Sequence, residues 1–172
     1  MMSARIKNLV KVAILVAVLA AGSQISIPTP FLVPITLQIL FVALVGFLLK
    51  TPSALATIFT YVSIGAVGLP VFASFNGGLG TLFGYTGGFV FGFFPLVVLS
   101  SIGKGKVKIL FGILGTILCH VMGVLQYMLV ANASFIASLI TTSLPYILKD
   151  IILVVIAYFV SALILKRIKK ES

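Results

Sequence analysis

The sequence predicts an all-α integral membrane protein, and three observations lead to that fold class. Of its 172 residues, 61% are hydrophobic and only 8% are charged, whereas soluble domains carry about 25% charged residues. One small soluble core does not conceal that much apolar surface. In lipid the backbone must satisfy its hydrogen bonds internally, as helices or as a closed barrel. The long apolar runs lack the alternation of barrel strands, so they predict a helical bundle.

Six apolar segments divide the chain, and prolines or basic residues stand between most of them. Pro28, Pro30 and Pro34 stop the first helix and force extended backbone. Ser53 is expected to cap the third helix, and Pro145 suits the first turn of the sixth. We expect a single transmembrane domain, residues 1–172, without an internal repeat. The predicted helices run from about Leu9 to Ile25, Ile35 to Leu49, Ser53 to Leu69, Phe89 to Ile102, Val107 to Val130 and Pro145 to Leu165.

The first segment has a second interpretation as a secretory signal, because Ala20, Ala21 and Gly22 follow a short apolar core. We prefer a retained helix, since nothing after Ile27 has the composition of a soluble mature domain. Small residues on this helix also permit close approach of another helix. That face consists of Ala13, Ala17, Ala20 and Ala21. Packing within the bundle is the alternative role for it.

The basic residues predict the orientation of the helices. Eleven of the twelve lie at the termini or in alternate connections, which the positive-inside rule assigns to the cytoplasm. The other connections, near residues 28–35, 70–88 and 131–144, carry no charge. Six helices with both termini in the cytoplasm satisfy this pattern. The net charge of +10 does not indicate nucleic-acid binding, because the basic residues stand at the ends of apolar segments rather than along a solvated face. The eleven are Arg5, Lys7, Lys11, Lys50, Lys104, Lys106, Lys108, Lys166, Arg167, Lys169 and Lys170.

Lys149 and Asp150 break the charge pattern, because they lie at the outward end of the sixth predicted helix. Ionisable residues within a membrane helix are costly and mark a functional site by default. The alternative is a mutual ion pair that reaches the membrane interface. Neighbours on a helix point about 100° apart, so we expect one of the two to face a cavity and the other to reach sideways. Gln38 is a further intramembrane polar group that needs a partner.

A glycine-rich stretch from Asn76 to Gly88 forms a second candidate region. Glycines such as Gly77, Gly78 and Gly87 permit positive φ and close approach of a ligand to the backbone. A flexible connector, or close helix packing by Gly87 and Gly88, is the alternative.

His120 is interpreted as a core residue, hydrogen-bonded to Gln126 or Tyr127. No catalytic pairing, metal-ligand cluster or cofactor motif is present in the sequence, so no enzyme activity, metal or cofactor is expected.

These residues give the chain a resemblance to the BioY family, the biotin-binding S components of energy-coupling-factor (ECF) transporters. The resemblance implies six helices and a biotin site lined by the connections between helices one and two and helices three and four. It further implies a transmembrane coupling subunit and two ATPase subunits as partners, a prokaryotic cell membrane as location, and the alanine face as the contact with the coupling subunit. The motifs that carry it are residues 24–28, 34–38, 65–73, 77–80 and 84–89, the pair Pro145-Tyr146, and Asp150.

The chemistry of biotin suggests roles for individual residues under this resemblance. Phe31, Tyr85 and backbone amides suit the fused ring, and Asn76 or Asp150 suits the ureido group. Lys149 is assigned to the carboxylate, and Gln38 and the three glycines complete the expected site. Two positions depart from the family pattern. Tyr85 stands where the family commonly has proline, and Leu153 stands where it commonly has lysine, which leaves the cationic partner open.

Two other functions stay open from the sequence. The first is an S component for a different vitamin, such as thiamin, because the same fold accommodates several ligands. The second is a stand-alone proton-coupled carrier in which Asp150, Lys149 and His120 form a relay.

Overall fold

A computed structural model describes residues 3–29 and 33–170 and shows a mostly helical chain. Its principal helices correspond to the six predicted apolar segments, and two short helices lie in connections where no helix was predicted. The helices are α1 (Ala4–Ser23), α2 (Gln38–Leu48), α3 (Thr51–Ala66), α4 (Leu79–Leu82), α5 (Gly87–Ser101), α6 (Val107–Ala131), α7 (Phe135–Thr142) and α8 (Leu144–Lys170). Strands β1 (Ser26–Ile27) and β2 (Ile35–Thr36) and a 3-10 turn (Ala73–Phe75) complete the elements of the described part.

Length and composition identify the helices able to cross a membrane. Within the described residues, α1 (from Arg5), α6 and α8 are long and apolar enough to do so, and α2 and α5 are shorter apolar helices. The predicted helical fold of a membrane protein is confirmed at this level. The count of six spans stays a prediction, because about 20 residues are needed for a straight crossing.

Five of the six predicted helix starts differ from the structure, by one to five residues, and two of these differences have a local cause. The second begins at Gln38 rather than Ile35, because Ile35 and Thr36 form β2 and pair antiparallel with β1. The third begins at Thr51 with Pro52 in its first turn, so the predicted cap at Ser53 is wrong. The Ser53 hydroxyl instead donates a hydrogen bond to Asn8 Oδ1 of α1 at 3.1 Å.

Glycines allow the closest helix packing in the bundle. A Cβ on Gly92 of α5 would lie 2.6 Å from the Cα of Cys119 on α6, and one on Gly115 would lie 2.8 Å from the Cα of Leu96. The small residues therefore let the two backbones approach each other. The helix α2 packs against α5 and α8, and α1 packs mainly against α3. Leu19 of α1 is fully buried in the common core.

The bundle has two chemically different ends. One end carries the basic stretches, and hydrogen bonds such as Lys108 Nζ to the Phe47 carbonyl at 3.3 Å join its helices. The other end carries β1, β2 and residues 70–86. Lys149 is the one basic residue at this second end within the described part of the chain. The candidate site lies there.

Candidate ligand-binding site

A cavity of about 410 Å³ opens at the end of the bundle opposite the basic stretches. Its volume is within the range of about 300–1,000 Å³ that small-molecule sites occupy. Three parts of the chain form its walls: residues 28–29 with 33–36, residues 72–86 and the adjacent ends of α5, α6 and α8. Lining residues include Pro28, Thr36, Gln38, Phe72, Asn76, Gly80, Thr81, Tyr85, Thr86, Phe89, Phe93, His120, Tyr146, Lys149 and Asp150.

The first wall, residues 28–29 and 33–36, is held against α8 by hydrogen bonds. The Tyr146 hydroxyl donates to the Val33 carbonyl at 2.8 Å. Lys149 Nζ donates to the Thr36 carbonyl at 2.8 Å. The Thr29 hydroxyl also donates to Val33, at 2.7 Å. Two side chains of α8, one turn apart, therefore hold this wall in place at Val33 and Thr36.

A buried charged cluster forms the floor of the cavity. Asp150 is 5% exposed, and its Oδ1 lies 2.6 Å from Lys149 Nζ. Its Oδ2 lies 3.1 Å from His120 Nε2, and His120 Nδ1 lies 2.9 Å from Ser143 Oγ. Within the described residues the Lys149 ammonium is the group that contacts Oδ1, which takes part in no conventional hydrogen bond.

This cluster corrects two predictions. Lys149 and Asp150 were expected to point apart, but both line the cavity, because the long lysine side chain turns back so that its ammonium meets the neighbouring carboxylate. His120 was expected to bond Gln126 or Tyr127, and its observed partners are Asp150 and Ser143. Both side chains that hold His120 come from the α7–α8 region, so the contact joins α6 to the start of α8.

The second wall contains unusual backbone next to Asn76. Ser74 and Phe75 both have φ of 58°, a left-handed conformation that costs free energy for residues other than glycine. Hydrogen bonds hold this turn: Gln24 Oε1 accepts from the Phe75 N–H at 2.8 Å, and the hydroxyls of Ser26 and Ser74 lie 2.9 Å apart. Asn76, a candidate ligand-binding residue from the sequence, follows the turn and lines the cavity.

Gln38 and Tyr85 also line the cavity. The sequence predicted a polar partner for Gln38 without identifying it. In the structure it is the hydroxyl of Tyr61, which accepts from Nε2 at 3.1 Å and donates to the Val71 carbonyl at 2.9 Å. The ring of Tyr85 stands 5.7 Å from that of Tyr127. Phe31, the remaining aromatic candidate, lies outside the described residues.

The candidate glycines Gly77, Gly78 and Gly87 shape the backbone rather than line the cavity. Gly78 has φ of +86°, and its N–H donates to the Gly65 carbonyl at 2.7 Å. A Cβ on Gly77 would collide with the Leu69 carbonyl, and one on Gly87 would collide with the Leu82 carbonyl. The close approaches that these glycines permit are therefore to the protein's own backbone. Gly80 and Gly84 are the glycines of this stretch that line the cavity. A Cβ added at Gly80 would have no atom within 4 Å, whereas one at Gly84 would lie 2.7 Å from the Gly80 carbonyl oxygen.

The alanine face of α1 is turned away from the bundle. Ala13, Ala17 and Ala21, spaced four residues apart, are exposed, whereas Ala20 is partly buried against the core. Packing within this bundle is therefore excluded for the three exposed alanines. They form a smooth stripe on the surface.

Comparison with known proteins decides the family. The BioY family model matches residues 1–170 of the sequence. This chain belongs to the BioY family.

Relatives of this BioY chain match it over most of their length. The biotin transporter BioY of Thermotoga maritima is 35% identical over 170 residues, which cover 95% of this chain and 96% of that protein. The probable biotin transporter BioY of Pyrococcus horikoshii is 35% identical over 147 residues, 85% of this chain and 88% of that protein. The crystal structure of the S-component for biotin from an ECF-type ABC transporter has the same fold. Its TM-score is 0.84 at 22% identity, covering 100% of this chain and 96% of that one.

Sequence reasoning missed several side chains of this BioY cavity. Tyr146 was noted only as part of a motif, although its hydroxyl holds Val33. His120 was treated as a core residue, although it lines the cavity beside Asp150. The contact between His120 and Asp150 could have been predicted from the sequence, because a lone histidine and a lone carboxylate inside apolar helices each need a polar partner. Phe89 and Phe93 carried no such signal, because apolar residues fill every helix here.

Proposed function

We propose that this BioY-family chain is the S component that captures biotin for uptake by an ECF-type transporter. The names of its full-length relatives support biotin as the ligand. The observation that carries the proposal is the cavity, in which aromatic walls surround one buried carboxylate and one ammonium. Biotin has an apolar fused ring with a thioether and, on one edge, a ureido group whose N–H and C=O lie side by side.

The contact between Lys149 and Asp150 favours a division of roles different from the one expected from sequence. With Nζ and Oδ1 only 2.6 Å apart, the two groups meet the same part of a ligand. An acceptor beside a donor is complementary to a ureido edge, whose N–H would donate to Asp150 and whose C=O would accept from Lys149. The biotin carboxylate would then point toward the mouth of the cavity. Phe89, Phe93 and Tyr85 would contact the ring.

The proposal includes the membrane arrangement. The helices α1, α2, α3, α5, α6 and α8 would form six spans in a prokaryotic cell membrane, with both termini in the cytoplasm, because the basic stretches all lie at one end of the bundle. The cavity would then open to the outside. The exposed alanines of α1 would contact the transmembrane coupling subunit, which would in turn carry two ATPase subunits.

Direct binding tests the ligand. The purified protein in detergent or nanodiscs is titrated with radiolabelled biotin, with unlabelled biotin and thiamin as competitors. We expect saturable binding of about one biotin per chain that biotin displaces and thiamin does not. If thiamin displaced the labelled biotin as well as unlabelled biotin does, or if folded protein showed no saturable binding of biotin, the proposal would be contradicted.

A further inference from the structure

The side chain of Gln126 reaches from α6 to the backbone that leads into α5. Its Nε2 donates to the Leu82 carbonyl at 2.8 Å and to the Gly84 carbonyl at 2.8 Å. An amide nitrogen carries two N–H groups, so both donors are used on one short segment. These bonds join residues more than 40 positions apart in the sequence and bridge two structural elements.

The segment that Gln126 holds is part of the cavity wall. Gly84, Tyr85 and Thr86 line the cavity directly after Leu82. The Phe83 N–H donates to the Leu79 carbonyl at 3.0 Å, but the bonds that follow it are longer, at 3.4 Å from the Gly84 N–H to the Thr81 carbonyl and 3.3 Å from the Gly87 N–H to the Gly84 carbonyl. The position of the wall therefore depends strongly on the shorter contacts from α6. Tyr127, the residue after Gln126, adds a ring contact with Tyr85.

Two glycines make room for this contact. A Cβ on Gly87 would lie 2.5 Å from Gln126 Nε2 and would collide with the Leu82 carbonyl. One on Gly88 would lie 2.8 Å from Gln126 Cβ. The Gly-Gly pair at the start of α5 thus lets the Gln126 amide pass between α5 and the wall. This gives the pair a physical role that the sequence alone left undecided.

We propose that Gln126 is a positioning residue for the ligand: its amide fastens residues 82–84 to α6, so that Tyr85 and Thr86 keep the wall closed over the bound molecule. The ligand leaves when this fastening opens. This inference rests on the proposed function only because biotin is the ligand used to test it. The hydrogen bonds of Gln126 do not depend on which ligand the cavity binds.

The first test removes both hydrogen bonds with Gln126→Met, a substitution of similar length. We expect biotin to dissociate about fivefold to fiftyfold faster, since two hydrogen bonds of ordinary strength are lost. The association rate should change less. In the ligand-free variant, amide hydrogen exchange of residues 82–87 should be faster than in wild type, while exchange in α8 stays unchanged. Leu125→Met is the matched control, because Leu125 is the neighbouring residue on the exposed side of α6, and it should behave as wild type.

The second test uses Gln126→Glu, which keeps the shape but alters the hydrogen bonding. An ionised carboxylate only accepts hydrogen bonds and would face two carbonyl oxygens, whereas a protonated one can donate to one of them. The ratio of the variant's biotin Kd to that of wild type should therefore fall as the pH is lowered from about 8 to about 5.5, toward the ordinary range of a glutamate. A side chain that only stabilises the bundle would give a ratio independent of pH.

The outcomes separate this inference from the proposed function. Wild-type dissociation and exchange rates in Gln126→Met, or a pH-independent ratio in Gln126→Glu, would overturn the role of Gln126. Loss of thermal stability without faster dissociation would overturn it as well. If wild-type protein binds no biotin, the proposed function fails, and the exchange measurement alone then confirms or refutes the fastening. If Gln126→Met does not fold, Gln126→Glu at low pH provides the decision.

Discussion

His120 Nε2 and Asp150 Oδ2 lie 3.1 Å apart between two helices, and both side chains are almost completely buried. The imidazole has its other nitrogen 2.9 Å from Ser143 Oγ and its ring edge-on to Phe89, so it is held on three sides. An ionised carboxylate only accepts hydrogen bonds, so in the pair with ionised Asp150 the imidazole Nε2 is the donor. The histidine thereby orients the carboxylate and leaves Oδ1 toward Lys149.

Removing the imidazole should harm both stability and binding. His120→Leu leaves a buried carboxylate oxygen without its donor, which costs about 1–3 kcal/mol and weakens biotin through the misplaced Asp150. His120→Gln can still donate and should recover part of both losses. Thermal unfolding and biotin titration measure the two effects. A leucine variant equal to wild type in both assays would refute the role of His120.

The division of roles between Lys149 and Asp150 can be read with biotin and a biotin amide that lacks the negative charge. If the pair binds the ureido edge, Lys149→Met should weaken both ligands alike, by about tenfold to a hundredfold for a charge-assisted hydrogen bond. Asp150→Asn should likewise affect both. Selective loss of biotin with the amide unaffected would return Lys149 to the carboxylate. If the variants bind both ligands within about twofold of wild type, Lys149 and Asp150 form only a surface ion pair and do not bind the ligand.

Topology is tested by single cysteines. Lys50→Cys and Gly105→Cys should react with a membrane-impermeant maleimide only from the cytoplasm, and Asn76→Cys only from outside, since the basic residues mark the inner end. The native Cys119 is fully buried and gives little background. Labelling of Asn76→Cys from the inside alone would reverse the proposed orientation.

Two glycine variants should separate folding from binding. Gly87→Val should lower the yield and melting temperature, because its side chain would collide with the Leu82 carbonyl. The sequence left open whether Gly87 lets a ligand approach or packs against another part of the protein. Gly80→Val should keep most of the stability, since no atom lies within 4 Å of the added Cβ, yet weaken biotin by entering the cavity. Gly80→Ala is the milder control. Equal yield and equal binding for Gly80→Val would place the ligand away from this wall.

The alanine stripe should matter for assembly alone. Ala17→Leu enlarges the exposed face at its centre and should weaken co-purification with the coupling subunit by excluding close helix approach. Biotin binding by the isolated protein should not change, because Ala17 lies outside the cavity lining. Val18→Leu, also exposed on α1 but outside the stripe, is the control. If Ala17→Leu co-purified with the coupling subunit as well as wild type does, the contact would have to lie on another surface.

The helical architecture follows from the sequence because hydrophobic length and charge position act locally along the chain. Lys149 and Asp150 were identifiable for the same reason, since each is costly inside an apolar helix. The contacts that organise the site were less accessible. Gln126 meets Leu82 and His120 meets Asp150 only after distant helices pack. The glycines were recognised as special, but whether each one faces a ligand or a backbone depends on atoms far away in the sequence.

The hydrogen bond between Lys149 and the Thr36 carbonyl has a consequence for the entropy of binding. A free lysine side chain loses about 0.5–1.5 kcal/mol of rotamer freedom when a ligand immobilises it. Here the Thr36 carbonyl accepts a hydrogen bond from the ammonium, and the Asp150 carboxylate lies beside it as an ion pair. Both contacts lie within the protein and hold the lysine side chain in one position. The side chain is ordered on folding rather than on binding, so a ligand meets a donor that is already in place.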